Sequence, residues 1–286
     1  MTDLQRSIIR YYDATLLDYR AFWVGKRDLA FHFGYYDTSK ESHRQSLENM
    51  NRVMAGKAGM DASDLVLDAG CGQGGSALWL ATHIGCVIQG ISLVPHQVEM
   101  ANRVAKARGL ENKARFYIQD YAKTGFPEES FTVIWACESL CHAPEKKAFY
   151  QEAFRLLKPG GRLVVAEYIR KGRNNAVQDE NILQNWFSGW SMPDLDTWQE
   201  HWDHMREAGF TRIQHEDITG HVSPSLHRLF KMSKRLLGLG KFLHLVRIRN
   251  HIRHRNQVAS ISQYVALTKN LWNYYIYTAS KPGLPK

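Results

Sequence analysis

Apolar residues at Leu4, Ile8, Ile9, Tyr12, Leu16 and Tyr19 recur close to every 3.6 positions and predict an amphipathic helix over residues 4–22. A second helix is expected from about Ser42 to Lys57. Between them lies Phe31-His32-Phe33-Gly34-Tyr35-Tyr36-Asp37, too dense in aromatics and too broken by glycine for a regular helix. The rhythm then changes. Short apolar runs at 65–69, 86–91, 114–119, 131–137 and 162–168 alternate with helical patterns at 75–84, 95–108 and 144–157. Pro95 falls in the first turn of one helix, and Lys158-Pro159-Gly160-Gly161 stops another. The 131–137 run is apolar almost throughout, as a strand buried on both faces should be. Strands alternating with helices at this pitch imply a parallel sheet with right-handed crossovers, a doubly wound α/β fold.

Beyond residue 170 the alternation loosens. Residues 173–196 carry Trp186, Phe187 and Trp190, a helix is expected over 197–208, and a strand over 211–218. Residues 219–270 read as a mostly helical insertion with Leu226, Leu229, Phe230, Leu236 and Leu237 on one stripe, and 271–278 as a closing strand. The expected organisation is an N-terminal helical and aromatic lid (1–60), an α/β core with a seven-stranded Rossmann-like sheet (61–218), a helical cap (219–270) and a strand returning to the core (271–286).

Charge changes this picture at one place. The chain has 286 residues and a net charge of +9, yet no acidic residue follows Asp217, whereas twelve Lys and Arg do. The basicity therefore belongs to the cap, which should meet something anionic. Hydrophobic content of 44% argues against disorder. The charged, tyrosine-bearing first twenty residues do not read as a signal peptide, and no stretch is apolar enough to span a bilayer. A cytoplasmic protein is expected. Cys71, Cys86, Cys137 and Cys141 lack zinc spacing and read as reduced thiols.

Candidate chemistry sits at the ends of the apolar runs, where open α/β sheets bind ligands. After the first comes Asp68-Ala69-Gly70-Cys71-Gly72-Gln73-Gly74, then a helix. Gly70, Gly72 and Gly74 let the backbone approach a ligand closely, and the helix presents free N–H groups over the turn. Asp68 argues against a diphosphate there and suits a sulfonium or an ammonium group. After the second run no carboxylate is present to hold ribose hydroxyls; the sequence is Gly90-Ile91-Ser92-Leu93-Val94-Pro95-His96-Gln97. The fourth run ends in Cys137-Glu138-Ser139-Leu140-Cys141-His142, with two ionisable groups at the exit of a buried strand.

The glycine segment resembles motif I of the class I S-adenosylmethionine-dependent methyltransferases. Gly-Ile-Ser-Leu-x-Pro-x-Gln resembles the subgroup containing cyclopropane fatty acid synthases, sterol and tocopherol C-methyltransferases and prenyl diphosphate C-methyltransferases. The resemblance implies cofactor contacts at Asp68, Gly70, Cys71, Gly72, Gly74, Ser92 and Leu93, a ribose contact at Gln97, and an adenine contact at Asp120 beside Tyr121. It ties Glu138, alone or through His142, to the base that takes a proton after an alkene attacks the methyl group. Tyr12, Phe33, Tyr35, Tyr36, Trp186 and Trp190 are then candidate walls for a cationic intermediate, although packing explains each ring singly as well.

The expected acceptor is an isoprenoid, foremost a lipophilic anionic prenyl diphosphate. Cap residues such as Arg247 and Arg249 would clamp its phosphates, with Mg²⁺ bound through the diphosphate. Ring methylation of a tocopherol-type quinol, sterol methylation, and O- or N-methylation of another natural product remain open. So do peripheral contact of the basic cap with anionic membrane and self-association into a homo-oligomer. A nucleic-acid binder would also use the basic segment, but no RNA-binding motif accompanies it. A non-catalytic scaffold fits poorly with both Asp68 and Glu138 in place.

Overall fold

The computed structural model describes residues 1–23, 29–38, 40–245 and 250–284. Helices α1 (Asp3–Phe22) and α2 (His43–Lys57) precede the first strand. Each starts with a capping box, Thr2 with Gln5 and Ser42 with Gln45, which satisfies two otherwise orphaned N–H groups. Then follow β1 (Leu65–Ala69), α3 (Gly75–His83), β2 (Val87–Ser92), α4 (Pro95–Ala107), β3 (Ala114–Ile118) and β4 (Phe131–Cys137). A single 3₁₀ turn (Leu140–His142) leads to α5 (Lys146–Leu156) and β5 (Leu157–Arg170). The rest is α6 (Val177–Gly189), α7 (Trp198–Ala208), β6 (Thr211–Asp217), α8 (Thr219–Arg235), α9 (Leu237–Leu245), α10 (His251–Thr268) and β7 (Trp272–Ser280).

The seven strands form one sheet in the order β3-β2-β1-β4-β5-β7-β6. All neighbours pair in parallel except β7, which runs antiparallel to both β5 and β6. The chain winds outward from β1 through β2 to β3, then from β4 towards the other edge. The order therefore reverses between β1 and β4, and the carboxyl ends of these two strands, carrying Asp68 and Glu138, meet at the crevice. Val133, Trp135, Ile134 and Ala136 of β4 are fully buried, on alternate faces of the sheet, as its unbroken apolar run requires.

α6 runs through residues 173–196, where the strand–helix alternation loosened, and its Leu183, Trp186 and Phe187 are fully buried. One expectation is corrected. The 31–37 segment does not act as one aromatic lid. Tyr35 stacks on His221 at 4.1 Å and Tyr36 donates its N–H to the His221 carbonyl, so both pin this segment to α8 rather than facing a ligand. α2 also differs from a lid, since Leu47, Met50 and Met54 are buried beneath it in the sheet's helical layer.

Candidate active site

One cavity of about 330 Å³ lies above the crevice, in the size range of small-molecule sites. Its floor is the glycine turn and the ends of β1, β2 and β4; its roof is α1 and the cap helices α8, α9 and α10. Gly70, Cys71, Gly72, Ser92, Leu93, Gln97 and Tyr121 line it, as do Asp68, Glu138 and His142.

The glycines do different jobs. Gly70 has φ +91°, and a Cβ there would stand 2.3 Å from the Ser139 Cβ, whose hydroxyl donates to the Ala69 carbonyl at 2.7 Å. Gly70→Ala should therefore destabilise the fold by about 2 kcal/mol or more, read as a lower urea midpoint at unchanged m. Gly74 does not line the cavity; its missing Cβ makes room for the Phe116 ring and for Ala101, so it is a packing glycine at the start of α3.

Asp68 is 2% exposed, and its Oδ2 has no hydrogen-bond partner among the described residues. Burial pushes its carboxyl up to about 7. An unpartnered buried carboxylate beside a glycine turn is a fitted place for a cationic group, which supports a sulfonium- and ammonium-bearing cofactor on an observation of the fold itself. Next to it, Ser92 Oγ donates to Gln97 Oε1 at 2.9 Å, which fixes the amide in the first turn of α4. Tyr121 donates to the Ser139 carbonyl at 2.9 Å and forms part of the wall.

Asp120 is placed otherwise than expected. Its Oδ2 accepts from Gln5 of α1 at 2.7 Å and its Oδ1 from the Ala122 N–H at 2.8 Å, and it does not line the cavity. Here it anchors the N-terminal helix.

Glu138 sits in the left-handed region at φ +51°, which for a buried non-glycine residue costs about 1–3 kcal/mol and marks a constrained position. Three donors converge on its carboxylate. Oε1 accepts the Phe33 N–H at 2.6 Å and the Tyr274 hydroxyl at 2.8 Å, and Oε2 accepts the Tyr168 hydroxyl. Desolvation raises its pKa and the three donors pull it back, leaving it at about 7. Neither tyrosine was picked out from the sequence. Both lie on strands, Tyr168 on β5 and Tyr274 on β7, and are paired directly across the sheet.

His142 takes a second position on the wall. Its Nδ1 lies 3.3 Å from the Ser191 carbonyl, which only accepts, so Nδ1 carries the proton and Nε2 receives the Tyr12 hydroxyl at 3.0 Å. Burial lowers its pKa to about 4, so the imidazole is neutral at pH 7.

Tyr12, Phe33 and Trp190 line the cavity, with Tyr19, Trp23 and Phe31, which were not singled out in the sequence. Tyr12 and Tyr19 meet Phe31 edge-on at 6.1 and 4.8 Å. Trp186 is not a wall. It is fully buried behind Tyr168 and Trp190 and packs on Trp272 at 4.9 Å.

Arg247 and Arg249 lie outside the described residues. Among the described ones, Arg253 of α10 is the lone Lys or Arg lining the cavity, and its guanidinium holds Asp18 of α1 at 2.5 and 3.0 Å. With Tyr11 donating to Asn256 at 2.9 Å and Asp13 meeting His96 at 2.7 Å, this pair straps α1 across the cavity.

Residues 67–165 match the methyltransferase domain family. The stretch from β1 into β5 is thus similar to a methyltransferase domain. It is 30% identical over 220 residues to a sterol 24-C-methyltransferase of Kluyveromyces lactis, covering 76% of this chain and 58% of that protein. It thus spans little more than half the length of that relative. It is 28% identical to 27-O-demethylrifamycin SV methyltransferase of Amycolatopsis mediterranei, over 88% of this chain and 89% of that one. Among solved structures, the [4+2]-cyclase SpnF superposes with a TM-score of 0.81 at 23% identity, covering 98% of this chain and 96% of that one. Geranyl diphosphate C-methyltransferase of Streptomyces coelicolor superposes with a TM-score of 0.75 at 17% identity, covering 98% of each chain. These two similarities establish the shared methyltransferase-type fold; the named reactions differ, so the fold by itself selects neither.

Proposed function

We propose that this chain transfers a methyl group from S-adenosylmethionine to a double-bond carbon of an isoprenoid acceptor, a prenyl diphosphate of the geranyl or farnesyl class. The observation that carries the reading is Glu138, a buried carboxylate poised near neutrality at the exit of β4, in an aromatic cavity shared with the open carboxylate of Asp68. The names of the sterol relative and of the geranyl diphosphate neighbour support it.

Bound S-adenosylmethionine would supply an electrophilic methyl group, its sulfur keeping the S–CH₃ bonding pair and leaving as S-adenosylhomocysteine. Asp68 would hold the cationic end of the cofactor, Ser92, Leu93 and Gln97 its ribose, and Tyr121 would lie against its base. When the acceptor's π pair forms the new C–C bond, positive charge develops on the neighbouring carbon of the acceptor. The faces of Tyr12, Tyr19, Phe31 and Trp190 would stabilise that charge. A C–H electron pair then restores the double bond and its proton leaves to a base. Glu138 keeps a lone-pair direction on Oε2 for that proton, and the tyrosines orient the carboxylate towards the cavity.

The acceptor's head group would meet Arg253 in place of Asp18. No cluster of three metal-ligating side chains exists among the described residues, so Mg²⁺ would enter as the counter-ion of the diphosphate. Arg253→Ala is expected to raise KM for farnesyl diphosphate at least tenfold and to leave KM for an uncharged sterol within twofold. Equal effects on both would remove the head-group assignment.

A second reading rests on His142. A neutral imidazole whose Nε2 faces the cavity through Tyr12 could deprotonate an acceptor hydroxyl, and the rifamycin relative is named for methylation on oxygen. Turnover of a labelled methyl donor with geranyl and farnesyl diphosphates, a sterol, a tocopherol precursor and a hydroxylated macrocycle separates the two. The first reading expects the prenyl diphosphates to turn over fastest; preference for the hydroxylated acceptor selects the second.

A further inference from the structure

The cap has an outer surface that the cavity does not use. Helix α8 divides by side: Leu229, Met232, Ser233 and Leu236, at its end, line the cavity, while Arg228, Lys231, Lys234 and Arg235 are exposed on the opposite side. Lys231, Lys234 and Arg235 have no ion pair among the described residues, and no acidic residue follows Asp217 anywhere in the chain. Beside them stands α9, Leu-Gly-Leu-Gly-Lys-Phe-Leu-His-Leu, a short helix of strongly apolar composition. Leu245 at its end is 79% exposed, and Leu17 of α1 is 62% exposed. The segments that carry these leucines meet at the first turn of α10. α1 is tied to the first turn of α10 through Asp18 and Arg253, and α9 to the same turn through His244 stacked on His254 at 4.8 Å.

We propose that this face docks on the surface of an anionic phospholipid bilayer. Lysine and arginine heads would lie among the lipid phosphates and carboxylates, and Leu17 and Leu245 would enter the acyl boundary. The charge pattern fits a negative surface, and the exposed leucines fit one with an apolar layer beneath it, which a nucleic acid lacks. The cavity lies under the same helices, since Leu236 and Gly240 of its wall are at the α8–α9 junction. A lipophilic acceptor could then pass from bilayer to cavity with little exposure to water. This step rests on the reading of the acceptor as lipophilic; the docking itself does not need methyl transfer.

Co-sedimentation of the full chain with phosphatidylcholine vesicles, with and without 30% phosphatidylglycerol, tests it. Binding to the anionic vesicles should exceed binding to neutral ones at least tenfold and weaken with salt. The variant K231E/K234E/R235E should lose at least tenfold in vesicle affinity, and Leu245→Asp severalfold. Methyl transfer to an acceptor presented in detergent should be unchanged in both, so loss of docking and loss of the enzymatic reading are distinguishable. If the triple variant melts early, Lys231→Glu alone should still show a measurable part of the loss. Equal binding to both vesicle types, no binding, or binding untouched by these variants would overturn the proposal. So would a labelled RNA that outcompetes anionic vesicles for the chain and is insensitive to Leu245→Asp.

Discussion

Glu138→Gln is expected to lower kcat by about a thousandfold, the scale of a lost general base, while leaving S-adenosylhomocysteine affinity within about threefold. The substitution keeps the shape of the side chain. Tyr168 can turn its hydroxyl to accept from the new amide, while Tyr274 and the Phe33 N–H still donate to its oxygen, so the clasp around residue 138 survives. What disappears is the capacity to take a proton at Oε2. Calorimetry of cofactor-product binding alongside single-turnover chemistry checks the split. If binding and turnover fell together, Glu138 would be holding the 31–33 segment in place and the proton would be going elsewhere, with His142 the next group along the wall.

The second large effect concerns Asp68 and pH. Its carboxyl is raised to about 7 by burial alone, so below that value it holds a proton. A cationic cofactor favours the ionised form, and its affinity should therefore rise with pH, by about tenfold between pH 6 and pH 8, then level off. Asp68→Asn should abolish the slope and leave affinity at or below the pH 6 value.

The same groups set the sign for the ligand-free fold. Folded Asp68 and Glu138 keep protons up to about pH 7. In the unfolded chain they release them near pH 4, so the unfolded state binds fewer protons over this interval. Their contribution is fully present below about pH 4 and is lost as pH rises to 7, which Asp68→Asn should partly flatten in a series of thermal melts.

The inner strands β1, β2 and β4 were legible because each is a short, mostly apolar run closed by glycine or a polar turn. That local pattern is what a strand covered on both faces demands. The glycine turn and Gln97 were legible for a related reason: the chemistry is confined to a few consecutive residues. α6 was passed over although its buried Leu183, Trp186 and Phe187 recur at i, i+3 and i+4, the spacing of a helix face; the wide run of polar residues around them masks it, and only the fold shows Trp186 packed on Trp272 of β7.

The Glu138 clasp was illegible for another reason. Tyr168 and Tyr274 are 106 residues apart and look like ordinary strand aromatics; only the β5–β7 pairing brings both hydroxyls to one carboxylate. Asp120 was misassigned in the same way, since its partner Gln5 comes from a helix 115 residues earlier. Tyr35 and Tyr36 share a dense aromatic segment with Phe33, but the backbone sends them outward to His221 while Phe33 turns in. Composition gave no means of telling those rings apart.

The charges of the cap helices divide in two. Arg253 faces the cavity, whereas Lys231, Lys234, Arg235 and Arg255 face out. For α8 this follows from the helical period once its apolar side is committed to the cavity, and on α10 Arg253 and Arg255, two positions apart, fall on opposite sides of the helix.

The most direct test of methyl transfer to carbon is incubation of the chain with S-adenosylmethionine carrying a CD₃ group and with farnesyl or geranyl diphosphate, followed by carbon NMR and mass spectrometry of the product. The account predicts one CD₃ on a former double-bond carbon in place of one hydrogen of the acceptor, with the double bond restored. A CD₃ on oxygen, or no label transferred to any acceptor of the panel by a chain that binds S-adenosylhomocysteine, would contradict it.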